Sequence, residues 1–107
     1  MLNRIILIGR TTAQPEMRVT PNGTQVSTFT LAVDRRVQNQ QQDVDYIDVV
    51  TFGKLAENVA QYVVKGHQLA VEGRLQTRVY ETKDGQKRKA YEVVAESVEF
   101  LSKPSRS

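Results

Sequence analysis

Strand-length runs of alternating apolar and polar residues, cut by Gly, Pro and Asn, dominate this chain, and only one stretch breaks into helical spacing. Arg4 to Gly9 (RIILIG) reads as a buried β-type run. Pro21-Asn22-Gly23 reads as a turn, because Pro presets its own backbone angle and Asn or Gly tolerates positive φ. Val26 to Asp34 follows as a strand with Phe29, Leu31 and Val33 on one face, and Gln38 to Gln42 is polar and unperiodic, so it reads as a loop. Tyr46 to Phe52 is β-branched and aromatic, the next strand, on which Tyr46, Asp48, Val50 and Phe52 share a side. From Lys54 to Lys65 the period changes: Leu55, Val59 and Tyr62 fall at spacings of four and three, widened by Ala56, Ala60 and Val63. That predicts an α-helix with Lys65 in its last turn and Gly66 just beyond it. A strand from about Gln68 to Tyr80, a turn at Asp84-Gly85 and a strand from about Ala90 to Leu101 complete the pattern.

Three β segments, a helix and a β-hairpin predict a mainly β fold. Five strands with one α-helix between strands 3 and 4 is the order of the OB-fold, a Greek-key barrel, although other small barrels compete on pattern alone. Residues 1–101 are expected to form this one domain, with 102–107 a short flexible tail. On the fourth predicted strand Leu69, Val71, Leu75 and Val79 share the parity expected of core, while Arg74, Arg78 and Tyr80 take the other; Gly73 is a candidate bulge. The last strand mixes Glu92, Glu96 and Glu99 with Tyr91, Val93, Val94, Val98 and Phe100, which leaves no clearly polar face. One small barrel can hardly bury both sides, so a homo-oligomer is expected.

Composition narrows the chemistry. With no cysteine there is neither a disulfide framework nor a zinc–thiolate site, and the single histidine, His67, is expected at an exposed or interface position rather than as a ligand. Asp43, Asp45 and Asp48 lie close together, but the Gly and terminal Glu of a calcium loop are missing, so they read as solvated charges. No P-loop, no GxSxG elbow and no His–carboxylate pair is present, so the chain is expected to be neither an enzyme nor dependent on a cofactor. The longest apolar run near the start, Ile5 to Ile8, is far too short for a signal or a membrane span. A soluble cytoplasmic protein of a bacterium, or of an organelle of bacterial descent, is expected.

The segment Lys83 to Lys89 (KDGQKRK) accounts for the whole net charge of +3, since the rest of the chain is balanced. It lies at the predicted hairpin tip, where a two-residue turn would set Tyr80 opposite Lys89 and Glu81 opposite Arg88. An aromatic ring among cations suits single-stranded nucleic acid, because every base offers a face to stack on and every nucleotide a phosphate. Tyr46, Phe52 and Tyr80 are therefore candidate stacking residues, with Arg74, Arg78, Lys87, Arg88 and Lys89 as candidate phosphate contacts. Tyr62 and Tyr91 read as structural.

The stretch LNRIILIGRTTAQPEMRVTPNGTQVSTFTLAV, together with VVTFGKLAENVAQYVVKGHQLAVEGRLQTRVYETKDGQ, resembles the bacterial single-stranded DNA-binding (SSB) family from Leu2 to about Leu101. The resemblance implies an OB barrel assembled as a homotetramer, with single-stranded DNA wrapped on aromatic rings at positions matching Tyr46, Phe52 and Tyr80. A fourth such position falls on Val37, which is not aromatic. Lys54 and Lys65 match basic positions near the DNA path. Family members carry a long tail with an acidic tip that recruits replication and repair proteins. Here Lys103-Pro104-Ser105-Arg106-Ser107 holds no such tip, which reads as a short form, either a truncated chain or a short paralogue. The competing reading is a protein-interaction subunit of the same fold, similar to the family's primosomal relatives, with weak nucleic-acid binding; the retained aromatics favour the first.

Overall fold

A computed structural model describes residues 1–35 and 43–103. Its elements are β1 (Ile5–Thr11), β2 (Glu16–Val19), β3 (Gln25–Asp34), β4 (Val44–Phe52), α1 (Gly53–Tyr62), β5 (Gln68–Glu81) and β6 (Lys87–Phe100). The expected strands and helix are all present, with one addition. β2 has only four residues, all exposed, and its single Met17–Val19 alternation is too short to mark a strand. It pairs with the outer part of β3, and by chain order the helix therefore follows the fourth strand.

The pairing closes on itself. β1 pairs with β5, β5 with β6, β6 with β4 in parallel, β4 with β3, and β3 again with β1. β1 makes the closure by changing partner: Ile5 to Arg10 run beside β5, while Arg10 and Thr11 also pair with Ala32 and Leu31 of β3. At that corner a Cβ on Gly9 would collide with the Ala32 carbonyl oxygen, so only glycine lets the two backbones approach.

Inside the ring lie Phe29, Leu31, Val49, Leu69, Val71, Val93 and Ala95, and Val59 and Val63 from the helical segment join them. Phe29, Leu31 and Val33 do share the inner face, with Val33 packed at its margin. The helix leaves β4 through Phe52, whose extended backbone precedes it, and it ends three residues earlier than the sequence suggests. Val63 is extended and fully buried, its N–H donating to the Val59 carbonyl at 3.0 Å. A β-branched residue drawn into the core stops the helix there, so Lys65 and Gly66 belong to the following turn, not to the last helical turn or its C-cap.

His67 contradicts its expectation: it is 1% exposed, with its ring 5.7 Å from that of Phe100 and neither ring nitrogen hydrogen-bonded among the described residues. Burial, with a smaller contribution from Lys103, holds its pKa below the ordinary histidine value, so the neutral ring is the stable one. β1 also differs from the buried run expected of it. Its alternate residues Ile6 and Ile8 are 64% and 53% exposed, because the ring covers only one side of the strand.

β5 and β6 are each 14 residues long and continue beyond the ring as a two-stranded ribbon. A bulge does occur beside Gly73, but the extra residue is Glu96 on β6, since Glu72 pairs with Ser97 and Gly73 with Ala95. A Cβ on Gly73 would meet the Val94 carbonyl oxygen. The bulge switches the parity of β6, so that Val93 and Ala95 face inward before it and Val98 packs against the core after it. That switch explains much of the missing polar face, which therefore does not by itself demand an oligomer. Leu75 and Val79 are 42% and 65% exposed rather than core, because they lie on the ribbon past the last ring partner, Ile5 opposite Gly73.

Candidate nucleic-acid interface

Directly paired residues project to the same side of a sheet, so the register maps the outer face of the ring. On β4, Tyr46, Asp48 and Phe52 point outward; Tyr46 is 69% exposed and Phe52 47%. Their β3 partners Ala32, Thr30 and Val26 share that side, and Arg10 joins Tyr46 through Ala32. Beyond Val50 the face crosses to β6 at Val94, and from Val94 to β5 at Arg74. Val26, Val50 and Val94 form a small buried cluster on this side, and Phe52 borders it as the partner of Val26. Six residues separate Tyr46 from Phe52, about 20 Å along a strand at ~3.3 Å per residue.

The same side continues up the ribbon through the pairs Arg74–Val94, Gln76–Glu92, Arg78–Ala90 and Tyr80–Arg88. The hairpin register differs by one from a two-residue turn. Thr82 and Gln86 close a three-residue loop, with the Thr82 N–H donating to the Gln86 carbonyl at 2.8 Å and Gly85 at φ +80°. The Thr82 hydroxyl donates to the Asp84 carboxyl and holds its pKa below the ordinary carboxylate value. Tyr80, 45% exposed, therefore stands opposite Arg88, while Lys87 and Lys89 pair with Glu81 and Val79 on the reverse side.

Charge is divided unevenly over the outer face. A shallow groove of ≈ 350 Å³ between ring and ribbon is lined by Glu16, Asp48 and Glu92 with Arg78, whose Nε lies 3.7 Å from Glu92. Arg74 donates to Gln76 at 3.0 Å and Arg88 to Gln86 at 3.0 Å, so the ribbon holds its guanidinium groups in the open. Lys54, 3.7 Å from Glu57, opens the helix just past Phe52, and Lys65 is exposed in the turn before His67. Asp45 and Asp43 are engaged by Arg35, at 2.7 and 3.9 Å, and the hydrogen bond from Arg35 holds the Asp45 pKa low. No group of residues able to hold a metal ion occurs among the described residues.

The structure thus gathers Tyr46, Phe52, Tyr80, Arg74, Arg78 and Arg88 on one continuous surface, but spreads the rings along it rather than into a pocket. Lys87 and Lys89 are not on it. Arg10 is, and the sequence reading passed over it. Its Nη1 donates to the Gly66 carbonyl at 3.0 Å, and its place beside Tyr46 depends on the β1–β3 pairing that alternation alone does not reveal. Tyr62 and Tyr91, read as structural, are 54% and 59% exposed, and Tyr62 packs against Phe100 at 6.4 Å between ring centroids. Val37 and the loop at Gln38 to Gln42 lie outside the described residues. Among the described residues no helix is long and apolar enough to cross a membrane.

Residues 2–101 match the profile of the Single-strand binding protein family. The chain is 57% identical over 103 residues to Single-stranded DNA-binding protein 2 of Staphylococcus aureus, covering 94% of this chain and 73% of that one. It is 54% identical to the Single-stranded DNA-binding protein of Bacillus cereus and 53% to Single-stranded DNA-binding protein A of Bacillus subtilis. In both cases 94% of this chain is covered, but only 61% and 60% of the relative.

Proposed function

The chain belongs to the single-strand binding protein family, and with it to the OB-fold; from that premise we propose that it binds single-stranded DNA without strong sequence preference and protects it during replication, recombination and repair. One observation carries the reading. Three exposed aromatic rings, Tyr46, Phe52 and Tyr80, occupy one side of a continuous sheet that also presents Arg74, Arg78 and Arg88. Rings buried for stability would face the core. Rings lined along an outer face beside cations offer base stacking and phosphate neutralisation, and neither depends on base identity.

Catalysis is not part of the proposal, which rests on the stacking rings and the cations of this face. Assembly into a homotetramer is part of it. The exposed Ile6 and Ile8 on β1, with Ala70 beside Ile8, leave an apolar strip of the outer wall uncovered in a single chain. Residues 1–101 are the proposed binding unit.

Titration with oligo-dT, oligo-rU and duplex DNA of equal length tests the function. Oligo-dT should bind most tightly and duplex least, with affinity falling as salt rises by a slope of about −0.7 per phosphate contacted. Weak, equal binding to all three would instead support a protein-interaction subunit of the same fold.

A further inference from the structure

We propose that the reverse face of the β5–β6 ribbon is a second base-stacking surface, centred on Tyr91, so that the ribbon takes single-stranded DNA on both sides. The inference rests on the single-stranded DNA reading and extends it to residues outside the outer face described above.

The register defines this face through the pairs Leu75–Val93, Thr77–Tyr91, Val79–Lys89 and Glu81–Lys87. On the ring these parities would be core, and Val93 indeed is fully buried. Past the ring they are uncovered among the described residues: Tyr91 is 59% exposed, Val79 65% and Leu75 42%. No other ring lies against Tyr91 among the described residues, and neither Lys87 nor Lys89 has an ion-pair partner among them. Tyr91 and Lys89 are two residues apart on one strand and so project side by side.

The result repeats the chemistry of the other face, where Tyr80 stands beside Arg78 and opposite Arg88. An aromatic ring supplies the stacking plane, Val79 extends its apolar margin, and ammonium groups flank it for phosphate. Charge also selects this occupant over a second copy of the chain. Two copies meeting across this strip would bring the Lys87 and Lys89 ammoniums of both together against one Glu81 each, whereas a polyanion is attracted to the same strip.

The chain contains no tryptophan, so a single substitution gives a site-specific reporter. Tyr91→Trp and, as control, Tyr80→Trp would each be followed by tryptophan emission during titration with long oligo-dT. Quenching of both at saturation is the expected result. Quenching of the Tyr80→Trp protein alone overturns the second surface and leaves the first intact. Quenching of neither overturns the single-stranded DNA reading as well. A concentration-dependent blue shift of the Tyr91→Trp emission without DNA, and no quenching with it, assigns the strip to self-association and overturns the proposal. In parallel, Tyr91→Ala should weaken binding of long oligo-dT roughly 5- to 150-fold at unchanged melting temperature; unchanged affinity overturns it.

Discussion

The two halves of β5 obey the same alternation and meet different fates. From Gln68 to Gly73 every second residue is buried, with Leu69 and Val71 fully so; from Arg74 to Glu81 none is. Leu75 and Val79 have the parity of Leu69 and Val71, yet they face solvent. The difference lies in the neighbours. β1 runs beside β5 only as far as Ile5 opposite Gly73, and β4 touches β6 only at Val49–Val93 and Val50–Val94. Asn3 grips the Leu75 backbone in both directions, at 2.8 and 3.0 Å, and beyond that point no further strand pairs with the ribbon among the described residues. Parity fixes the side to which a residue points. Burial requires something on that side.

Stability should show the largest contrast. Leu69→Ala removes a fully buried side chain from a closed ring and should lower the unfolding free energy by about 2–5 kcal/mol. Val79→Ala, at the same parity, should change it by no more than about 0.5 kcal/mol. Urea denaturation measures both. A loss at Val79 comparable to that at Leu69 would mean that the ribbon is covered in solution, and the two halves would no longer differ.

The same contrast marks what was legible in the sequence. The strands, the helix, the basic hairpin and the outward parity of Tyr46 and Phe52 follow from period and turn chemistry, which are local. All of the differences but one, the hairpin loop, concern something non-local. β2 exists because β3 offers an edge to it, and its own alternation, Met17 and Val19, is too short to announce a strand. The helix ends at Tyr62 because the core takes Val63. The mixed apolarity of the last strand looked like two buried faces, but a bulge at Glu96 turns one face into the other. The hairpin register differs by one residue because Thr82 closes the loop through its backbone and hydroxyl, and that single step puts Lys89, together with Tyr91, on the side away from Tyr80. His67 was misjudged because nothing in its neighbours along the chain announces the Phe100 ring packed on it.

Affinity should test next, by smaller amounts, whether both halves carry the outer face. Tyr80→Ala on the ribbon and Tyr46→Ala on the ring should each lose about 1–3 kcal/mol of binding to oligo-dT, the usual worth of one stacked base. Their folds should stay intact, since both rings are exposed. Phe52→Ala should lose affinity and also melt earlier, because its ring borders the cluster of Val26, Val50 and Val94. Affinity measured beside melting temperature for all three distinguishes these outcomes. Should Tyr80→Ala melt early and bind DNA normally, its ring is structural and the outer face ends at the ring.

The smallest effect, and the one with opposite signs in the two halves, is electrostatic. The ring half of the outer face is acidic at Asp48 and Glu16, while the ribbon half carries Arg78, 3.7 Å from Glu92, and Arg88. Asp48 lies between Tyr46 and Phe52 and accepts a hydrogen bond from the Thr30 hydroxyl at 2.9 Å. Asp48→Asn keeps an acceptor for that hydroxyl and removes only the charge, so the fold should be unaffected. Binding of oligo-dT should tighten by about 0.2–1 kcal/mol, the range of exposed charge interactions. The gain should fade as salt rises, because the screening length drops from about 10 Å at 0.1 M to about 3 Å at 1 M. Arg88→Gln should do the reverse, weakening binding and flattening the salt dependence by about 0.7 in slope if the guanidinium neutralises one phosphate. Phosphates would then run toward the ribbon while bases lie over the ring. If Asp48→Asn weakens binding instead, the carboxylate accepts a hydrogen bond from a base edge, and the ring half reads the strand rather than merely supporting it.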